Sequence, residues 1–204
     1  MVWYRGRYSN SREVIMRTLV LLITLFSSAS FAQIDPGVDG MGVYFDENAT
    51  IVSTVSDGVT WVTGYLILTH PSEQGELKYF TVTVETYEDQ LAAFTGWPRF
   101  GINQYTPMPG ANFFVFSVVA GDGEPFFLSN ISVLADIAVL PFFNRREIRL
   151  YLANPKYSMV GQDGPFITCA QSSGSPDLPV AVIDGPAPVG GSEMTWGSLK
   201  SLFH

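Results

Sequence analysis

Side chains able to bind metals tightly or act as nucleophile and base are scarce in this 204-residue chain, which holds two histidines, His70 and His204, and one cysteine, Cys169. A Ser-His-Asp system would have to recruit His70. Its setting, Thr69-His-Pro-Ser72, contains no nucleophile elbow, and Gly-x-Ser-x-Gly occurs nowhere. His70 therefore reads as a turn residue at a strand end. A zinc centre needs three or four closely spaced His, Cys or carboxylate ligands, and the first two types are too few. Phosphate-cradling glycine motifs are absent. Cys169 has no partner for an intramolecular disulfide; in Phe166-Ile-Thr-Cys169-Ala it alternates like a strand residue and is expected to be buried.

Carboxylates leave two chemistries open. Glycoside hydrolysis needs two acids facing each other across a cleft, and Glu85, Glu88 and Asp89 are candidates, although acids in turns are ordinarily just solvated. Calcium is held by oxygen ligands on glycine-rich loops, and Asp35, Asp39, Asp46 and Glu47 lie in such a stretch, without the Asp-x-Asp-x-Asp-Gly spacing. Plain turn formation explains the same residues, so calcium is the one cofactor considered and none is required. The remaining candidate is a binding surface. Trp97-Pro98-Arg99-Phe100, with Asn103, Gln104 and Tyr105, combines rings that stack on sugars or prolines with amides and a guanidinium that fix orientation. Alternatively, Trp97 and Phe100 plug the end of the core.

Compartment and charge narrow the partners. Arg17, the apolar run Leu19 to Phe26, and small residues on either side of Phe31 form an export signal with cleavage expected after Ala32. The run is too short for a permanent membrane span. The lead-in before it is long, and Met16 would also serve as a start. Without residues 1–32 the chain keeps 7 basic and 18 acidic residues, a net charge of −11. Nucleic acid is thereby excluded as a partner, since the only basic cluster is Arg145, Arg146 and Arg149, and the same charge argues against peripheral binding to anionic lipid. The expected location is secreted, periplasmic or at the cell surface. The sequons at Asn48 and Asn130 matter only in a glycosylating host.

The elements that must position these residues are strands. Phe80, Val82 and Val84 alternate with Thr81, Thr83 and Glu85 in Lys78 to Tyr87, the period-2 signature of a half-buried strand. Val59 to Thr69 is apolar on both faces and should be central, joined to the first by the loop His70 to Leu77 as the pair around which the fold is built. Further strands are expected at Gly42 to Asp46, Thr50 to Val55, Asn112 to Val119, Asn130 to Leu140, Glu147 to Leu152, Phe166 to Ala170 and Leu178 to Ile183. In Asn130 to Leu140, Ile131, Val133, Ala135, Ile137 and Val139 share one face; in Glu147 to Leu152, Tyr151 points outward. Glu88 to Thr95 reads as a helical turn or a bent strand, Gly96 to Tyr105 as a long connection, and Gln171 to Asp177 as an exposed loop. About nine strands between Gly and Pro turns make a single antiparallel all-β sandwich, immunoglobulin-like, cohesin-like or jelly roll, over residues 33–184. Residues 185–191 form a linker. In 192–204, Trp196, Leu199, Leu202 and Phe203 follow helical spacing, an amphipathic helix that needs a surface to dock on.

Gly42-Val-Tyr-Phe-Asp46, followed by Asn48-Ala-Thr50, and the terminal Thr195-Trp-Gly-Ser-Leu-Lys-Ser-Leu-Phe203 resemble the opening and the end of a group of uncharacterised secreted bacterial proteins. The sandwich between them is similar in outline to cohesin-like and immunoglobulin-like domains. The resemblance implies compartment and fold and supplies no catalytic residues. The first functional expectation is an exported, non-catalytic module that binds a protein or glycan. A structural subunit docking through its C-terminal helix or an edge strand, and a small carbohydrate-active enzyme with a carboxylate pair, are the alternatives. An exposed, coplanar Trp97, Phe100 and Tyr105 would favour a glycan over a protein.

Overall fold

The computed structural model describes residues 37–87, 92–105, 112–141 and 147–188. The expected leader, the C-terminal helix with Trp196, Leu199, Leu202 and Phe203, and Asp35, Glu88 and Asp89 lie outside them. Among the described residues the regular structure is all β, twelve strands rather than nine, four of them only two residues long. In chain order they are β1 (Gly40–Tyr44), β2 (Ser53–Thr54), β3 (Val62–Thr69), β4 (Tyr79–Glu85), β5 (Ala92–Pro98) and β6 (Ile102–Asn103). β7 (Phe113–Val119), β8 (Ile131–Pro141), β9 (Ile148–Ser158), β10 (Ile167–Thr168), β11 (Ala170–Gln171) and β12 (Ala181–Ile183) follow.

Two sheets face each other as a sandwich. The first runs β11-β1-β3-β8-β5 and the second β2-β12-β9-β4-β7-β6, with β10 added against β9. Every pairing between the longer strands is antiparallel, while the short β11 and β2 join their neighbours β1 and β12 in parallel. β3 and β4 are central, as their patterns require, but they do not pair. Each is the middle of a different sheet. The loop between them crosses the sandwich, tied by the Leu77 N–H to the Phe126 carbonyl (2.8 Å) and the Leu128 N–H to the Gly75 carbonyl (2.9 Å).

The inner faces supply one core, with Met41 and Val43 from β1, Leu66 and Leu68 from β3, and Ile137 and Val139 from β8 meeting Phe80, Phe116 and Leu150 of the second sheet. Local departures from alternation have identifiable causes. In β8, Ala135 opposes Leu66 and Val133 opposes Ile67, leaving Leu134 as the extra residue of a bulge. The bulge reverses the facing of the strand, so Ile131 and Val133 lie outside, not with Ala135, Ile137 and Val139. They join Tyr44, Ala49 and Ile67 in a second, smaller cluster on the outer face. Tyr151 is buried although it points outward, because the Tyr87 ring covers it at 4.7 Å. Strand β3 starts at Val62, leaving Val59 and Trp61 exposed. Gln171 to Asp177 is less open than expected: Ser173 is buried and its hydroxyl donates to the carbonyls of Ser175 and Leu178.

Cys169 is 6% exposed and its N–H donates to the Pro155 carbonyl. Burial, with a smaller contribution from the Asp39 carboxylate, pushes the thiol up to about 12. Alkylation requires the thiolate, so iodoacetamide at pH 8 is expected to leave the native protein unlabelled over hours and to modify Cys169 completely in guanidinium. Rapid labelling of the native protein would contradict this burial.

Candidate functional site

Residues directly opposite in antiparallel strands share a face. Tyr44 opposes Tyr65, Tyr65 opposes Asp136, and Asp136 opposes Trp97, so these four form a row across β1, β3, β8 and β5 on the outer face of the first sheet. Exposure rises along the row, from 1% at Tyr44 to 56% at Trp97. The segment 45–52 lies over the β1 end and leaves the β5 end uncovered, its own Ala49 fully buried against Tyr44 and Ile67 at a φ of 57°.

Asp46 closes that segment on itself. Its carboxylate accepts from the N–H groups of Thr50 (2.8 Å) and Ile51 (2.7 Å) and from the Thr50 hydroxyl (2.7 Å). Partial burial alone would raise its pKa, but these hydrogen bonds together hold it below the ordinary carboxylate value. Next along, Glu47 reaches over to Arg99. One guanidinium nitrogen of Arg99 donates to Glu47 Oε1 (2.7 Å) and to Asp136 Oδ1 (2.6 Å), while the group lies 5.9 Å from the Tyr65 ring centroid. The Asp136 hydrogen bond is the main cause of an Arg99 pKa above its ordinary value. The site therefore joins β3, β5, β8 and the covering segment through one cation.

Beside Arg99 a surface groove of about 440 Å³ is lined by Phe126, Phe127, Ser129, Ile131, Ser132 and Val133. Phe127 stands 66% exposed on its rim. The hydrogen bonds to Gly75 and Leu77 fix this wall, and the Phe126 ring stacks on Phe100 at 4.8 Å and 19°.

The residues expected to act together are divided. Trp97 and Arg99 are on the outer face, and Gln104 is exposed with its side chain 3.4 Å from that of Gln162. Phe100 is not at the surface: it is 9% exposed and packs on Phe80 and Phe126. Asn103 is used up on β7, accepting the Ser117 N–H (2.9 Å) and donating to the Val115 carbonyl (3.2 Å). Tyr105 is half-buried just beyond β6, its N–H donating to the Asn103 side-chain oxygen (3.3 Å). Gly96 to Tyr105 is thus no plain connection; it holds the end of β5 and all of β6.

The expected calcium ligands are likewise apart in function. Asp39 accepts from the buried Tyr157 hydroxyl (2.6 Å) and the Ser72 N–H (2.7 Å), Asp46 closes its own loop, and Glu47 pairs with Arg99. Among the described residues no group of three or more His, Cys, Asp or Glu could hold a metal ion. Glu85 is half-buried on β4, and His70 sits in a turn at φ 47°, its N–H donated to the Asn130 carbonyl. Sequence reasoning missed Tyr65, Asp136, Phe127 and Val133 as site residues. Only Asp136 carried a local signal, a single acid within an apolar strand.

No family model matches the chain, and no curated protein matches it. Among solved structures it is similar to the cohesin module of a family 33 glycoside hydrolase from Clostridium perfringens, with 14% identity and a TM-score of 0.44 over 65% of this chain and 90% of that one.

Proposed function

We propose that the protein is an exported, non-catalytic module that recognises a protein partner through the outer face of its first sheet, around Trp97, Arg99 and Phe127. The observation that carries this reading is the combination of a largely exposed tryptophan and phenylalanine with a groove whose only cation is already neutralised by two carboxylates. Exposed aromatic anchors around a fixed polar centre are the composition of protein-binding hot spots. A flat aromatic platform for sugar rings is not assembled, because Phe100 is in the core and Tyr105 is half-buried beyond β6, the strand that pairs with β7 of the second sheet. That separation favours a protein over a glycan.

The test is to probe a displayed peptide library and a glycan array with the purified protein and with its Trp97→Ala and Phe127→Ala variants. Peptide ligands should be selected, and each substitution should weaken them about tenfold or more, the loss of one hot-spot residue, with the melting temperature nearly unchanged. Ligands confined to glycans, or peptides indifferent to both substitutions, would overturn the proposal.

A further inference from the structure

Strand β8 has eleven residues, but β5 matches only its last seven, Ala135 to Pro141. The Arg99 N–H to the Leu134 carbonyl (2.9 Å) is the last main-chain bond between them. Phe100 then turns into the core and Gly101, at φ +64°, sends the chain toward the second sheet. Ile131 to Val133 are paired with β3 on one side alone. Asn130 faces β3, since its carbonyl accepts the N–H of His70. Main-chain groups alternate in direction along a strand, so Ser132 also faces β3, and Ile131 and Val133 face the opposite way. Among the described residues no strand meets them there. The Ile131 carbonyl accepts the Ser129 hydroxyl (2.6 Å), which leaves the Ile131 N–H and both main-chain groups of Val133 directed to the groove beside Arg99.

Resting on the protein-binding reading above, we infer that this slot receives an extended segment of the partner as an added strand, in line with β5 and antiparallel to β8, and that the segment alternates apolar with basic side chains. Strand addition supplies main-chain hydrogen bonds to an edge that has a defined start, where β5 ends, and a wall, formed by Phe126 and Phe127. Side chains of the added strand alternate in direction. Those directed inward meet the stacked Phe100 and Phe126 rings and must be apolar. Those directed outward pass Val133 and Ile131 and follow directly on Arg99, whose ion-pair cluster sets the two carboxylates of Asp136 and Glu47 against its single charge, on a chain that carries −11 after residue 32. Basic side chains complement that charge.

A fluorescein-labelled peptide alternating lysine with valine, titrated by fluorescence polarisation, tests this on the wild-type protein and on Val133→Pro, Trp97→Ala and Phe127→Ala. The same peptide N-methylated at every second residue, in each of the two frames, is titrated in parallel. Proline at 133 deletes the N–H that faces the slot while sparing the side paired with β3, the placement in which strands accept proline. Saturable binding is expected, weakened about tenfold or more by Val133→Pro and by salt, and abolished by N-methylation in one frame but not the other. Should Val133→Pro fail to fold, the two frames on the wild-type protein decide alone. Absence of saturable binding to the wild type, or equal binding of both frames, overturns strand addition. Binding lost in Trp97→Ala and Phe127→Ala but indifferent to Val133→Pro and to the frames overturns it while sparing the surface reading; indifference to all three substitutions overturns both.

Discussion

Phe80→Ala is expected to lower the stability of the protein by about 3–5 kcal/mol, the range for truncating a fully buried phenylalanine. Phe80 is 0% exposed near the start of β4, a central strand of the second sheet, with the rings of Phe100 and Phe116 at 5.6 and 6.0 Å. Neither neighbour is free to fill the space it would leave. Phe100 is stacked on Phe126, and Phe116 packs on Phe114 at 4.8 Å and meets the glycine surface of β5 at Gly96. The cavity should therefore persist, and the cost should fall at the upper end. Urea denaturation followed by circular dichroism reads it directly, and the melting temperature should drop by about 10 °C or more for a domain of this size. Phe166→Ala serves as the reference. That ring is 39% exposed and rests on Tyr79 and Lys156 at the surface, so it should cost about 1 kcal/mol or less. Equal losses for the two would mean that the stacked rings relax into the gap, and that the floor of the groove is softer than its geometry implies.

The same ring shows what a one-dimensional reading can and cannot reach. Phe80, Val82 and Val84 announce their inward face because a strand in a sandwich has one wet and one dry side, a local property written at period 2. The partner of that strand is not local. His70 to Leu77 was compatible with a hairpin, yet it crosses to the other sheet, and only its bonds to residues 126–128 reveal this. Between Gly96 and Tyr105, glycines and a proline masked a strand. Gly96 lies in β5 because the Phe116 ring occupies the volume that a Cβ would fill, and Pro98 is tolerated because β5 is an edge. Had that stretch been read as a strand, alternation would have separated Trp97 and Arg99 from Phe100, which is the division observed. Arg99 was legible as a surface cation, but Glu47, Tyr65 and Asp136 reach it from 52, 34 and 37 positions away in the chain. Sequence spacing carries no trace of such a meeting. The bulge at Leu134 is equally silent, since every residue around it is apolar or small.

Gly101→Ala is expected to cost about 3 kcal/mol, more than any ordinary surface substitution. Two penalties coincide at this position. Its φ of +64° lies in the left-handed region, where a residue with a Cβ is disfavoured by about 1 kcal/mol. The Cβ would also stand 2.1 Å from the Val119 carbonyl oxygen and 3.1 Å from the Ala120 Cα, so the contact is with backbone and no rotamer change relieves it. Relief requires pulling β6 away from β7, where Ile102 opposes Val119 and Asn103 opposes Val118, and where Asn103 also bonds the Ser117 N–H. Gly58→Ala separates the two penalties. Gly58 has a φ of +76° with nothing within 4 Å of the added Cβ, so it should lose only the backbone contribution, about 1 kcal/mol. The difference between the two variants in chemical denaturation then measures how tightly the chain is held as it leaves β5. A small difference would mean that β6 yields easily and that Arg99 and Phe100 are not fixed from this end. A difference of about 2 kcal/mol would mean that the turn at Gly101 is rigid, and that the open edge of β8 exists because β5 has no other way to continue.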